Sequence, residues 1–437
     1  MGSLAGHRSP PRETSDALQP CVDGEGGPVI IGGMVLDIHA TPSIPANPRT
    51  TTPGRVHYSL GGVARNVAEC VSKLGIKPYM ISAVGFDMAG NLLLEHWKSS
   101  GLSTEGIRRC HAIETAVVCN VFDVAGELAA AVASVESIEN FLTPEWIQQF
   151  KCNISLAPVL MVDANLSPLA LEESCRVAAD SDIPVWFEPV SVAKSKRVAS
   201  VAKYQMLYFQ ITFASPNEDE LIAMANALSF GDLFRPVQIS GGKSKYSIES
   251  LFQMLKPAIW VLLEKGIKVV VLTLGSNGVL LCAKVGPSFK KISLKRKKPQ
   301  GFGRPLHELV NSTCPPGRFF SAKTEESSNL FAVHFPAISA SVVRLTGAGD
   351  CLVGGTLASI CAGLDVMQSL AVGVAAAKAA VEVESNVPAE YSLEKIAGMT
   401  SKLIYLLLHP SAYKMTAVYD ARSVYLNAKV VFCQSML

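Results

Sequence analysis

The chain has 437 residues, 49% of them hydrophobic, enough to bury a large core, and its formal net charge is only +2. So balanced a charge gives no overall field for drawing in nucleic acid or an anionic membrane, and a small or neutral substrate is expected. The eleven cysteines are scattered without a CxxC pair or a close Cys/His cluster, which argues against a zinc site and fits inert thiols in a reducing compartment.

Residues 1–27 are polar and rich in Gly, Pro and Ser, without the apolar stretch of a signal peptide, and are expected to form a disordered leader. Val29-Ile30-Ile31-Gly32-Gly33 reads as a buried strand opening onto a turn, where the fold should begin. After a Pro- and Thr-rich segment at 41–53, polar and apolar residues alternate over 55–60 and predict a half-exposed strand, one of a pair standing off the main sheet. Gly61-Gly62 leads into a predicted helix over 63–74, with Val63, Val67, Val71 and Leu74 on one face. A strand over 79–84 and a helix over 89–99 follow, the helix capped by Asp87.

The alternation returns in a strand over 159–162 before Asp163, a helix over 168–179, a strand over 185–187 before Glu188, and a helical pattern over 221–228. The run 268–275 has the length and β-branched content of a central strand covered on both sides. Repeated β-α units imply a mostly parallel sheet with helices on both faces, a three-layer α/β/α fold. Polar stretches at 229–247 and 284–329 are expected to be surface insertions. The basic run within the second, Lys295-Arg296-Lys297-Lys298, lacks interleaved aromatic residues and reads as a solvated loop, not a nucleic-acid patch. The longest apolar runs, at 351–364 and 370–381, fall short of the ~20 residues of a membrane span, so no membrane contact is expected.

Thr346-Gly347-Ala348-Gly349-Asp350, followed by small and apolar residues, is the sharpest chemical feature. Small residues let backbone N–H groups approach an anion, and a helix starting there turns its positive dipole end toward it. A carboxylate at such a start can accept a hydroxyl proton while the amides stabilise a transferring phosphoryl group. Taken alone, the segment is better read as a glycine turn with Asp350 as an ordinary N-cap. Likewise Gly61-Gly62-Val63-Ala64-Arg65-Asn66 alone is a turn and helix start, Asn217-Glu218-Asp219-Glu220 the acidic first turn of a helix, and Thr273-Leu274-Gly275-Ser276-Asn277-Gly278 a turn. The eight histidines show no catalytic pairing or metal spacing, His39 and His57 suit surface or lid positions, and no GxSxG elbow indicates a serine hydrolase.

In order, and from Val29 to Ala397, these segments resemble the PfkB, or ribokinase-like, family of carbohydrate kinases, whose most specific motif is Gly-Ala-Gly-Asp. The resemblance implies an ATP-dependent phosphotransferase with Asp350 as catalytic base and Gly347, Ala348 and Gly349 as its anion hole. It implies sugar contacts from Asp37, Gly61, Gly62 and Asn66, for which Asp37 suits because an ionised carboxylate accepts two hydroxyl hydrogen bonds. Asn217, Thr273, Gly275, Gly278 and Asn386 match the nucleotide site, the last near the adenine pocket. Glu220 matches a magnesium position, reached through water because that ion prefers hard oxygen ligands and keeps several waters. The same likeness implies a kinase domain over about 28–400 with lid strands at about 37–60 and a C-terminal extension from 401 to 437. Monovalent-cation activation and a homodimer formed through the lid are compatible with it, and the sequence decides neither.

Within the family, Val185-Trp186-Phe187-Glu188-Pro189-Val190-Ser191-Val192-Ala193-Lys194 is most similar to the pseudouridine kinases, the plant type above all. That likeness implies phosphorylation of a nucleoside at its ribose 5′-hydroxyl. The residues' own chemistry leaves ribose, adenosine or fructose open as acceptors, and also a non-catalytic binding or scaffold subunit, although such a subunit would not need Asp350, Asn217 and Glu220. Ala133-Ser134-Val135-Glu136 departs from the Asp or Asn that related kinases often carry there. The final Ser435-Met436-Leu437 resembles the peroxisomal Ser-Lys-Leu address with Met in place of the basic residue, so cytosol or peroxisome is expected.

Overall fold

The computed structural model describes residues 27–47, 49–125, 128–202, 211–236, 246–284, 303–314, 329–408 and 416–420. The expected leader up to residue 26, the basic run and the terminal tripeptide lie outside these residues. In chain order the strands are β1 (Val29–Ile31), β2 (Val35–Pro42), β3 (Gly54–Gly61), β4 (Tyr79–Gly85), β5 (Ile107–Cys110), β6 (Ala116–Phe122) and β7 (Leu128–Ser134). They continue with β8 (Leu160–Asp163), β9 (Val185–Glu188), β10 (Ile211–Ala214), β11 (Val269–Thr273), β12 (Val279–Lys284), β13 (Asn329–Phe335) and β14 (Thr416–Asp420).

Ten strands form the main sheet in the order β14-β13-β12-β11-β10-β9-β8-β1-β4-β5. Pairing is parallel from β11 through to β5 and antiparallel from β11 outward through β12, β13 and β14. Successive side chains point into different cores. Val29 and Ile31, Leu160 and Val162, and Val270 and Leu272 join one core, which the helices Pro168–Asp180, Glu218–Ser229 and Ile248–Glu264 cover. Ile30, Met161, Val269 and Val271 join the other, under the helices Val63–Lys73, Ala348–Cys361 and Val366–Val381. A strand covered on both faces must be apolar at every position, which is why these elements read as continuous apolar runs. The result is the expected three-layer α/β/α arrangement.

A smaller sheet of four strands, β3-β2-β6-β7, stands apart. The strand pair expected from the sequence is β2 and β3, and β6 and β7 widen it. Its register places Tyr58, Ile38, Cys119 and Val132 in one cross-strand row and Val56, Ala40, Val121 and Ala130 in another row of the same face. Asp37, His39, Ser59 and His57 occupy the opposite face.

One expectation needs correcting. Within the stretch taken for a surface insertion, residues 304–313 form the helix Arg304–Thr313, whose Leu306 and Val310 are fully buried and which packs against the helix Leu393–Leu408. Two apolar residues one turn apart suffice to seat a short helix on the core, and the polar residues around them mask that signal in the sequence.

Candidate active site

The parallel strands end on one edge, where open α/β sheets gather their ligand-binding groups. Asp163 and Glu188 are the last residues of β8 and β9, Gly32 follows β1, and Ser215 follows β10. Across this edge lies the N-terminus of the helix Ala348–Cys361. That helix approaches the helix Val63–Lys73 closely because Gly354 lacks a side chain: a Cβ there would lie 2.6 Å from that of Cys70. The close approach brings two distant motifs together. Asn66 Nδ2 donates a 2.7 Å hydrogen bond to Asp350 Oδ2.

Gly347 is the N-cap of the helix, with φ +85, a conformation that disfavours any other residue, and a Cβ there would run into the backbone of Asn386. Asp350 is therefore not a capping residue. It lies in the first turn, whose N–H groups have no partners within the helix; that of Ala348 makes a 3.3 Å bond to the Leu345 carbonyl before the helix, and that of Gly349 can face an anion. A side chain added at Gly349 would meet nothing within 4 Å, so the amides here are open to a ligand. Burial pushes the Asp350 carboxyl up to about 6; the Asn66 hydrogen bond holds it down, the Asp163 carboxylate raises it and Arg65 lowers it.

Arg65, itself 3% exposed, donates from NH1 to Asn66 Oδ1 at 2.8 Å and to the Leu60 carbonyl, and pairs with the buried Glu69. The Leu60 carbonyl also accepts from Asn386 Nδ2 at 2.9 Å, and the same amide nitrogen lies 3.2 Å from Asp37 Oδ2. Burial raises the Asp37 carboxyl, opposed by Asn386, Arg344 and Arg65. Gly61 and Gly62 make room here: a Cβ on Gly61 would strike the Asp37 carboxylate, and one on Gly62, at φ +97, would lie 2.5 Å from the Gly33 carbonyl. Arg344 NH1 donates to the Glu384 carbonyl at 2.8 Å while NH2 lies 3.0 Å from a ring nitrogen of His39. Burial, then the charges of Arg344 and His57, push the His39 imidazole down to about 4, so it stays neutral and accepts.

Asp163 is fully buried, accepts from the amides of Gly33 and Asn165 at 3.0 Å each, and is raised by burial. Lys194 Nζ donates to Asn165 Oδ1. Glu188 accepts from the Ser215 hydroxyl, which in turn accepts from Trp186 Nε1 at 2.7 Å; burial first, then the neighbouring Glu220 and Asp350, push the Glu188 carboxyl well up. Asn217 and Glu220 form a capping box on the helix Glu218–Ser229, with bonds of 2.9 and 3.0 Å, and a backbone bridge ties Asn217 to Thr273. Gly275 and Gly278 turn the chain at φ +54 and +88.

Asp37, Asn66, Asp350, Gly61, Gly62 and Gly347 thus converge. Asn217, Glu220, Thr273 and Gly275 gather around the neighbouring strand ends. Asn386, expected near the adenine pocket, has its amide nitrogen committed to Asp37 and Leu60. Asp87 caps its helix through Gly90 N at 2.7 Å and binds Thr115, a structural role as read from the sequence. Sequence reasoning assigned no place in the site to Arg65, Asp163, Glu188 or Arg344. Asp163 and Glu188 each end an apolar strand run, a signal that could have found them. Nothing local marks Arg344.

Residues 29–294 and 324–389 match the model of the pfkB family carbohydrate kinases. The chain is 54% identical over 389 residues to a pseudouridine kinase of Arabidopsis thaliana, covering 88% of this chain and 99% of that one. A pseudouridine kinase of Escherichia coli is 32% identical over 170 residues, 39% of this chain and 53% of its own. Among solved structures, Arabidopsis thaliana ribokinase complexed with ribose and ATP superposes with a TM-score of 0.60 at 17% identity, covering 86% of this chain and 98% of that one. At that identity the likeness shows the fold alone.

Proposed function

This chain belongs to the pfkB family of carbohydrate kinases, and on that premise we propose that it transfers the γ-phosphoryl group of ATP to the ribose 5′-hydroxyl of pseudouridine, giving pseudouridine 5′-phosphate and ADP. The observation that carries the mechanism is the Asp350 carboxylate, held by Asn66 at a helix N-terminus with open glycine amides beside it. In this reading Asp37 and Asn66 orient the ribose so that its hydroxyl faces Asp350. Asp350 accepts the hydroxyl proton as the oxygen attacks phosphorus, and the amides of Gly347, Ala348 and Gly349 hold the equatorial oxygens of the transferring group. Asn217, Thr273, Gly275 and Gly278 line the nucleotide side, and Asn386 acts by holding Asp37.

Magnesium fits the donors present. Glu220 and Glu188 offer hard carboxylate oxygens, yet no group of three or more candidate ligands gathers among the described residues, which suits an ion that keeps most of its waters and binds mainly through the nucleotide. Glu220 would hold it through water, and the bound ion would supply charge neutralisation on the phosphates. The smaller sheet serves as a lid that excludes water from the site. Its outer face exposes Val56 at 63%, Tyr58 at 55% and Val132 at 72%, and a contiguous apolar face of this kind marks an interaction surface. The reading includes a second copy of the chain as its cover.

The test is turnover of purified protein with ATP and magnesium against pseudouridine, uridine, adenosine, ribose and fructose. Pseudouridine is expected to be the preferred acceptor. Strong turnover of ribose with none of pseudouridine would end this reading, and no turnover of any acceptor would favour a binding or scaffold subunit.

A further inference from the structure

Asn66 is an amide whose two ends differ: one donates and the other accepts. Its orientation is set by its neighbours. With Oδ1 toward Arg65 NH1 and Nδ2 toward Asp350, both contacts are attractive, at 2.8 and 2.7 Å. Turned over, the amide would set donor against donor at Arg65 and oxygen against carboxylate at Asp350. Arg65 therefore selects the one orientation in which Asn66 donates to Asp350. The second hydrogen on NH1 goes to the Leu60 carbonyl, which Asn386 also shares as it reaches Asp37. One buried guanidinium thus anchors both carboxylates of the site, the far side of its fork being held by Glu69.

We propose that Arg65 is the positioning residue of the phosphoryl-transfer site, fixing Asp350 through Asn66 and registering Asp37 against it through Leu60. The proposal deepens the kinase reading and rests on it for Asp350's role. It accounts for a cation that is 3% exposed in a helix facing the cleft, where packing alone would be served by an apolar residue. A lysine at this position would keep the charge but lose the planar fork that reaches Asn66, Leu60 and Glu69 together. Around Asp350 the other charged groups are Asp37, Asp163 and Glu188. None of them changes in the variants below.

Two full-length variants test this: Arg65→Lys, and the double variant Arg65→Gln with Glu69→Gln, which removes the directly paired Glu69 carboxylate together with its cation should the lysine variant fail to fold. For both, kcat is expected to fall about 10²-fold, the scale of a misplaced reacting group, with KM for ATP unchanged. In the double variant the acidic limb of the rate profile should also move to higher pH, because a cation that favours ionised Asp350 is gone. The second readout needs no acceptor: carbon NMR of aspartate-labelled protein, with the Asp350 signal assigned by its absence in Asp350→Asn, should show that carboxyl titrating higher in the double variant. Wild-type kcat in both variants, or a lowered melting temperature with kcat and the Asp350 titration unmoved, would overturn the proposal. An error in the acceptor would show in the wild type alone and leave the NMR comparison decisive.

Discussion

Replacing Asp350 by Asn separates what the carboxylate does for the reaction from what it does to the fold. Asn keeps an oxygen for the Asn66 amide but cannot accept a proton, so turnover should fall by about 10²–10⁴-fold, the contribution of a positioned base. Stability should move the other way. Burial lifts this carboxyl from 3.8 to about 6 in the folded protein. A group with a raised folded-state pKa binds its proton more tightly in the native state, so the stability it contributes is fully present below pH 3.8 and is lost as pH rises through about 6. At about 1.4 kcal/mol per unit, ionised Asp350 costs the fold about 3 kcal/mol at pH 8 and roughly half that at pH 5. Solvent at the partly exposed carboxyl makes this an upper bound. Urea denaturation of wild type and variant at pH 5, 6.5 and 8 reads the difference directly. The variant should be the more stable protein, by a margin that grows with pH. A margin flat across this range, or a variant with wild-type turnover, refutes the reasoning.

The same carboxyl predicts a pH profile: kcat/KM for the acceptor should fall as pH drops through about 6, with a slope of one on logarithmic axes, because only the ionised form accepts a proton. Gly347→Ala forces a Cβ onto the Asn386 backbone at φ +85; about 1–2 kcal/mol of strain from the left-handed backbone alone and a turnover loss above about 10²-fold from displaced amides are expected, read by denaturation and by steady-state assay. Tyr58→Lys combined with Val132→Lys places charge in one exposed row of the smaller sheet. If a second copy covers this face as proposed, light scattering should report a dimer for the wild type and a monomer for the variant, and an unchanged mass would count against a second copy on this face.

How much the sequence discloses depends on the range of the interaction. β1, β8, β9 and β11 are covered on both faces, so each declares itself as an unbroken apolar run, and Gly347 before Asp350 declares a turn that favours glycine. Asn66 and Asp350 are 284 positions apart, and Asp37 and Asn386 349. The first is made by helix packing, through the small Gly354 and Cys70, and the second by a loop meeting a strand of the smaller sheet; no local pattern encodes either. Arg65 illustrates the limit: within its motif it is one more polar residue at a helix start, and only the folded chain shows it enclosed between two carboxylates. The capping box of Asn217 and Glu220 is legible for the opposite reason, since donors and acceptors three residues apart meet in any helix that begins there.

The neighbours of Asp350 oppose one another in a way that suits a base. Burial and the Asp163 and Asp37 carboxylates raise its pKa, while Asn66 and Arg65 lower it, and the balance falls at about 6. A base held much lower would be ionised at neutral pH but would attract the hydroxyl proton weakly. One held much higher would attract it strongly but would already carry a proton. Proton transfer is fastest when the pKa lies near the working pH, so the burial that makes Asp350 a liability to the fold also sets its strength as a base. This ties the stability cost and the proposed role as base to one cause. Part of that field comes from Asp163, which two backbone amides and full burial hold in place.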